Sequence, residues 1–360
     1  MIPLLYAHIV FLQCLSVLRL ISRDRFVALR GKARARISFH RMRRYLAPSP
    51  QGKVSLAIAA CVKNEAPYIR EWIEYHRLQG VERFYLFNNE STDGTRKLLA
   101  PYVAEGIVVV SDVPGQGIQV HCFNAALVAY GKFTRWFAYI DCDEFLVPMR
   151  GEGQEKGSVD SCERVSDILK DFESHAALAV NWRAFDSNGH EEKPSGLVVE
   201  NYTRCAGSVN FAPNLHVKCI VDPARTVACR VHNHLYDIGA QAVNENFAPV
   251  PYEHSPHTEN RLRLNHYVTK SRAEYTVKIA RGRVSTGTQS DFLEAALNHP
   301  DPVEDRAIFR WLPELREAIR VKGIFENPSI LSIPSTPSES ENSPTRRGPL
   351  SGNTGSALSK

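Results

Sequence analysis

Two aspartates one residue apart, Asp141 and Asp143, close the apolar run WFAYIDCDEF at residues 136–145. An apolar stretch that ends abruptly in carboxylates reads as a buried strand delivering acids to a sheet edge. Side chains alternate along an extended backbone, so both carboxylates are expected on one side. Two hard oxygen donors placed that way suit Mg²⁺ or Mn²⁺, which keep positions open for phosphate oxygens. The plain alternative is a strand running into an acidic turn, and the pair alone does not decide between them.

The preceding segments supply the elements that must position these acids. Residues 54–62, VSLAIAACV, form an apolar run between turn signals and predict a buried parallel strand. Lys63, Asn64 and Glu65 follow at its carboxyl end. Pro67 then opens a helix whose Ile69, Trp72, Ile73 and His76 share one face, and Gly80 closes it. A second predicted strand, 83–87, runs into the polar turn 88–94. A helix at 95–102, a strand at 106–112, a helix at 119–130 and the strand 136–141 complete the series. Such alternation implies right-handed crossovers and a parallel sheet, with ligands bound at the carboxyl ends of its strands. The 63–65 loop, the 88–94 loop and the acidic pair all fall at that edge.

Downstream, the Gly-rich stretch 151–161 predicts a mobile loop, 164–172 a helix, and 177–182 a strand leading into Asp186, Ser187, Asn188, Gly189 and His190. Residues 216–221 and 227–232 read as a hairpin about Asp222-Pro223. His216/Cys219 and Cys229/His232 have zinc-like spacing. Alternation, however, sends the two cysteines to an apolar face and His216, Lys218, Arg230, His232 and His234 to the other, so the four cannot close one tetrahedron. That second face is basic and suits an anionic ligand such as a diphosphate. A strand ending at His266, a helix over 271–280 with Lys278 and Arg281 near its end, and peripheral helices at 291–297 and 303–321 follow. The tail from 327 is rich in Ser, Thr, Pro and Gly and is expected to be disordered.

With 360 residues, 43% hydrophobic and 23% charged, the chain falls in the soluble globular class and can bury a large core. Its net charge of +5 is concentrated between Arg19 and Arg44, where Asp24 is the single acid. That basic stretch lies outside the body, which is slightly acidic, so nucleic acid is not an expected partner. Eight cysteines without a CxxC pair argue against a disulfide framework and fit a reducing compartment.

The first 21 residues read as a membrane-associated apolar segment, inserted with the body on the cytoplasmic side or lying on anionic lipid. A start at Met42 is the third reading. No basic n-region or small-residue cleavage site precedes the body, so a secretory signal is not expected. The expected organisation is a basic linker over 22–52, one catalytic body over 53–300, a C-terminal helix over 301–326 and the tail 327–360. The expected location is cytoplasmic, attached to the inner face of the cell membrane.

In order along the chain, ACVKNEAPYIREWIEYHRLQGVERFYLFNNESTDGT, RWFAYIDCDEF, NWRAFDSNGH, KCIV with VHNHLY, and LNHYVTKSRAEYTVKIARG resemble glycosyltransferase family 92 and its relatives in the wider family 2-like group. The resemblance covers roughly residues 55–282. It implies an α/β fold of GT-A type, an αβα sandwich with a Rossmann-like nucleotide-binding half and a β-rich acceptor half. It also implies Mn²⁺ or Mg²⁺ on the diphosphate of a nucleotide-sugar donor, a UDP-sugar above all, and a glycan or glycolipid acceptor. Lys63, Asn64, Glu65, Asn89 and Asp93 would line the nucleoside pocket, though Glu65 also suits a helix N-terminus and Asp93 an ordinary Asp-Gly turn. Asp143 would be the main metal ligand, Asp141 would bond ribose or the metal through water, and His266 would be a third ligand.

Lys270, Arg281, His232 and His234 would neutralise the leaving diphosphate. Relatives imply inversion, which needs a carboxylate base; Asp237 and Asp186 are the candidates, because both follow strands. Asp186 departs from the family pattern, in which Gly is commoner at that place. The competing readings are a non-catalytic nucleotide- or sugar-binding module and a phosphatase of haloacid dehalogenase type. The latter uses the first acid of Asp-x-Asp as nucleophile but normally carries it on the first strand of its domain.

Overall fold

The chain enters through helix α1 (Arg23–Met42), capped by Ser22 Oγ, which accepts a hydrogen bond from Arg25 N at 3.3 Å. The body begins with β1 (Val54–Val62), α2 (Ile69–Leu78), β2 (Arg83–Asn88), β3 (Val108–Asp112), α3 (Gln119–Tyr130), β4 (Thr134–Tyr139) and β5 (Glu144–Pro148). Eight strands follow: β6 (Ala177–Ala184), β7 (Arg204–Ala206), β8 (Val217–Val221), β9 (Thr226–Ala228), β10 (Leu235–Tyr236), β11 (Ala242–Val243), β12 (Pro249–Val250) and β13 (Leu262–His266). Then come α4 (Arg272–Ala280), β14 (Pro302–Glu304) and α5 (Leu312–Val321), with shorter helical turns between elements. This computed structural model describes residues 22–149, 163–280, 299 and 301–322. The 1–21 segment, the 151–161 loop, Arg281, the 291–297 helix, the end of the 301–326 helix and the 327–360 tail lie outside the described residues.

The main sheet runs β12-β11-β6-β8-β4-β1-β2-β3, and β13 pairs with both β5 and β6. β1 to β4 are mutually parallel, as the alternation of strands and helices predicts. β8 then enters antiparallel between β4 and β6, so the sheet is mixed. The hairpin expected at 216–232 is therefore a correction. All five β8 residues are buried, which suits a central strand, while β9 pairs with β10 in a separate ribbon.

One face of the sheet packs on α2 and α5 through Trp72, Ile73, Tyr75, Leu315 and Ile319. The other packs on α3 through Cys122, Phe123, Ala126 and Tyr130, with Met42 of α1 in the same cluster. The result is a mixed α/β sandwich. Gly80 ends α2 at φ +87°, and a Cβ there would overlap Ser166 Oγ, so both the backbone and the space require glycine.

Most of the stretch expected as a linker over 22–52 is helical. Ala28, Gly31, Ala35, Ser38 and Met42 recur at helical spacing as a buried stripe of small residues, which the density of arginine obscures in the sequence. A Cβ on Gly31 would meet Val227 Cγ1 at 2.7 Å, so this glycine permits the close approach of α1 to β9. The 303–321 helix is also shorter than expected. Residues 302–304 form a strand with β7, and Pro313 lies in the first turn of α5, where its missing N–H costs nothing.

Candidate functional site

The parallel strands put the ends of β1, β2 and β4 on one edge. β4 stops at Tyr139, and Asp141-Cys142-Asp143 is a turn, closed by Glu144 N donating to Asp141 O at 3.1 Å. The extended backbone expected for the pair is thus corrected: the turn, not strand alternation, orients the carboxylates. Cys142 Sγ lies 3.9 Å from Cys61 O and ties this turn to the end of β1.

Each aspartate meets its own cation. Asp141 Oδ1 accepts from Gln119 Nε2 at 2.5 Å, and Oδ2 accepts from Lys218 Nζ at 2.8 Å. The Lys218 side chain is 1% exposed and also stands 3.7 Å from Glu144 Oε1. Burial alone would lower the Lys218 pKa, but Asp141 and Glu144 outweigh it and raise the ammonium above its usual value. Glu144 Oε2 accepts from Asp141 N at 2.7 Å; burial pushes this carboxyl up to about 8 against the pull of Lys218.

Asp143 Oδ2 takes the Lys278 ammonium, and His266 Nε2 lies 3.7 Å away. Burial would raise the Asp143 carboxyl, yet Lys278 and His266 hold it well below the usual carboxylate range. Among the described residues no group of three or more His, Cys, Asp or Glu side chains gathers closely enough to hold a metal unaided. Asp143 and His266 nevertheless fit a hard divalent ion as a half-site that phosphate oxygens complete: an ionised carboxylate and an imidazole nitrogen face each other at the sheet edge. Asp141 is held one step back, its oxygens accepting from Gln119 and Lys218, which suits a contact to the ion through water better than direct ligation.

The loops expected to form a nucleoside pocket come together beside this turn. Asn64, at φ 58°, accepts from Thr92 N at 2.8 Å, and its own N–H donates to Ser91 Oγ at 3.0 Å. Asp93 accepts from Thr95 N at 2.9 Å and from Ala66 N at 3.0 Å, so its carboxylate clamps the two loops together. Asn89 is buried and donates to Val113 O and Gly115 O at 3.0 and 2.9 Å, tethering the loop after β3. Glu65 pairs with Lys270 at 3.5 Å, and Lys270 lies over the Tyr68 ring at 3.7 Å. Lys63 is half-buried at the end of β1.

Across the edge, Trp182 separates two imidazoles, with ring centroids 4.9 Å from His216 and 4.2 Å from His266. His232 joins this row at 5.3 Å from Trp182, whereas His234 packs on Tyr139 at 5.0 Å. Burial, reinforced by Lys218, pushes His232 and His234 down to about 3, so both are neutral at physiological pH. The basic face expected from these two histidines is therefore corrected, because desolvation removes their charge. Cys219 and Cys229 lie in the core beneath the sheet, on the side the alternation predicts.

Neither carboxylate expected as the base reaches the acidic turn. Asp186 has a fully buried side chain held by Arg204 Nε at 2.9 and 2.8 Å and accepts from Asn188 N at 2.8 Å. Asp237 follows the separate β9–β10 ribbon and pairs with Lys32 of α1 at 3.4 Å, both side chains about half exposed. Gln119, Glu144, Lys218 and Lys278 are contacts the sequence reading missed. Lys218 did leave a signal: one lysine inside VKCIV, a run otherwise built for burial, demands a buried counter-charge.

A family model for glycosyltransferase family 92 matches residues 54–285, from β1 past the end of α4. The chain belongs to glycosyltransferase family 92. A family 92 protein of Ricinus communis is 27% identical over 242 residues, 66% of this chain and 39% of that relative. A family 92 protein of Arabidopsis thaliana is 26% identical over 152 residues, 42% of this chain and 26% of that relative. The chain thus aligns with well under half the length of these family 92 relatives. Among solved structures, residues 1–349 of S. aureus TarS match at 16% identity over 48% of each chain with a TM-score of 0.29, too low to argue from. Within this family 92 chain, α1, β14 and α5 lie outside the matched segment.

Proposed function

We propose that this family 92 chain is a metal-dependent, inverting glycosyltransferase of GT-A type, which moves a sugar from a nucleotide-sugar donor, a UDP-sugar, to a glycan or lipid-linked acceptor. The observation that carries the reading is the Asp143–His266 half-site on the edge shared with the Asn64 and Asp93 loops. Asp143 with His266 would hold Mn²⁺ or Mg²⁺. Such an ion supplies Lewis-acid stabilisation of the charge that grows on a departing nucleoside diphosphate.

The residues of the chain divide the remaining work. Lys218 and Gln119 fix the Asp141 carboxylate, leaving its outer surface, 32% exposed, to accept from a ribose hydroxyl or a metal-bound water. The Asn64–Thr92 and Asp93–Ala66 bonds hold the nucleoside loops in one arrangement before the ligand arrives, which lowers the ordering cost of binding. Attachment to a membrane surface belongs to the same proposal, since Arg25 and Arg36 of α1 and Arg43, which caps its C-terminus, are exposed to solvent. A phosphatase role for Asp141 is disfavoured by its place after β4, with three strands before it, whereas that chemistry normally sits after the first strand of its domain.

The test is a thermal-shift and donor-hydrolysis screen of nucleotide sugars with and without Mn²⁺. A UDP-sugar is expected to raise the unfolding temperature by mass action in the presence of Mn²⁺ and to release UDP. Stabilisation without turnover against any acceptor would favour a binding module; no response to any nucleotide would sink the proposal.

A further inference from the structure

Two cations stand on the acidic turn, and they differ in their freedom to move. Lys218 is enclosed, 1% exposed, between Asp141 and Glu144. Lys278 reaches Asp143 from the last turn of α4 with a side chain 34% exposed, and its ammonium also donates to Val268 O at 2.9 Å. Lys278 is the more solvent-accessible of the two, so a ligand arriving from solvent meets it before it meets the enclosed Lys218.

Of the cations the sequence offered for a diphosphate, those within the described residues are engaged elsewhere. Lys270 is paired with Glu65 and covers the Tyr68 ring, and His232 and His234 are neutral. Lys278, which the sequence did not single out for this role, shares Asp143 Oδ2 with the half-site, so a divalent ion bound at that oxygen competes with it. Its ammonium therefore stands beside the place where phosphate oxygens on such an ion would lie.

We infer that Lys278 occupies Asp143 in the donor-free protein and transfers to the diphosphate when a metal-bound donor arrives, making it a binding residue for the leaving group. The inference rests on the donor-binding reading above. Lys278 has opposite effects on two ligands: it competes with the ion and recruits the nucleotide.

Calorimetric titration of the full chain with Mn²⁺ alone, and with UDP at saturating Mn²⁺, separates these effects. Lys278→Gln is expected to bind Mn²⁺ alone about 3- to 10-fold more tightly, because the competing charge is gone. The same variant should bind UDP about tenfold more weakly, having lost a charge-assisted hydrogen bond. Lys278→Arg, which keeps the charge, should restore most of the UDP affinity and covers the case in which the Gln variant misfolds. Unchanged or weaker Mn²⁺ binding in Lys278→Gln, or undiminished UDP binding, overturns the inference while leaving the donor reading intact. Wild-type protein that binds neither Mn²⁺ nor UDP overturns both.

Discussion

Lys218 Nζ donates to Asp141 Oδ2 at 2.8 Å from within the sheet, on a side chain that is 1% exposed. The contact joins the start of β8 to the turn after β4, and the buried Glu144 carboxyl stands 3.7 Å from the same ammonium. Removing the ammonium leaves Asp141, about a third exposed, without its cation and takes the counter-charge away from the fully buried Glu144 carboxyl. Lys218→Met is therefore expected to cost about 1–3 kcal/mol, less than a fully buried broken pair because water reaches Asp141 and Glu144 can take a proton. Urea unfolding measures the loss, and adding Glu144→Gln to the variant should recover part of it. Equal stability of Lys218→Met and wild type would show the pair to be energetically idle.

Asp143 and Asp141 are expected to behave differently despite their spacing. Asp143 faces His266 and the part-exposed Lys278, whereas both oxygens of Asp141 are already committed. Asp143→Asn should lower Mn²⁺-dependent UDP release by about a hundredfold or more with the fold retained. Asp141→Asn should keep measurable turnover and lose stability instead. Release assays paired with thermal unfolding separate the two, and equal activity losses would contradict the division of labour.

The sequence made the parallel half readable because each element there follows a local rule. An apolar run bounded by turn residues became β1, and the face of Ile69, Trp72, Ile73 and His76 became the buried side of α2. What it hid is non-local. Nothing near Val217–Val221 says that β8 will insert antiparallel between β4 and β6 rather than fold back on β9. The same blindness concealed the partners of Asp141, since Lys218 lies 77 residues away in the chain. The charge on His232 and His234 was misjudged for a related reason: a titration state depends on burial, which only the packed structure reveals. Asp186 and Asp237 looked alike as acids after strands, yet one is locked to Arg204 and the other to the surface of α1.

Glu71 provides a pH test independent of catalysis. It is buried on α2, accepts from Val198 N and Val199 N at 2.8 and 3.0 Å, and is pushed by burial up to about 7. An acid whose folded pKa exceeds its unfolded value binds protons more readily when folded, so its penalty is absent below the unfolded value near 4.5. The penalty grows as pH rises to about 7 and is constant above that. Relative to Glu71→Gln, wild type should lose roughly 2–3 kcal/mol of stability between pH 4.5 and 7.5. Thermal unfolding of both proteins across that range checks the sign; a gap that does not vary with pH contradicts it.

The outer side of α1 gives the last prediction. Arg25, Arg36 and Arg43 are exposed, while the stripe from Ala28 to Met42 is buried against the body, so the helix can meet a charged surface without unfolding. Among the described residues no helix is long and apolar enough to cross a membrane, and the exposed arginines on α1 would offer an electrostatic contact to anionic lipid. A cation near anionic lipid contributes about 1 kcal/mol, and three together change affinity roughly a hundredfold. Co-sedimentation should therefore show binding to vesicles containing phosphatidylserine but not to phosphatidylcholine alone. Added salt should release the protein as the charges are screened. Replacing the three arginines by glutamate should abolish binding without lowering the unfolding temperature, because none of them belongs to the buried stripe. Equal binding to both kinds of vesicle would assign the attachment to something other than the charge on α1.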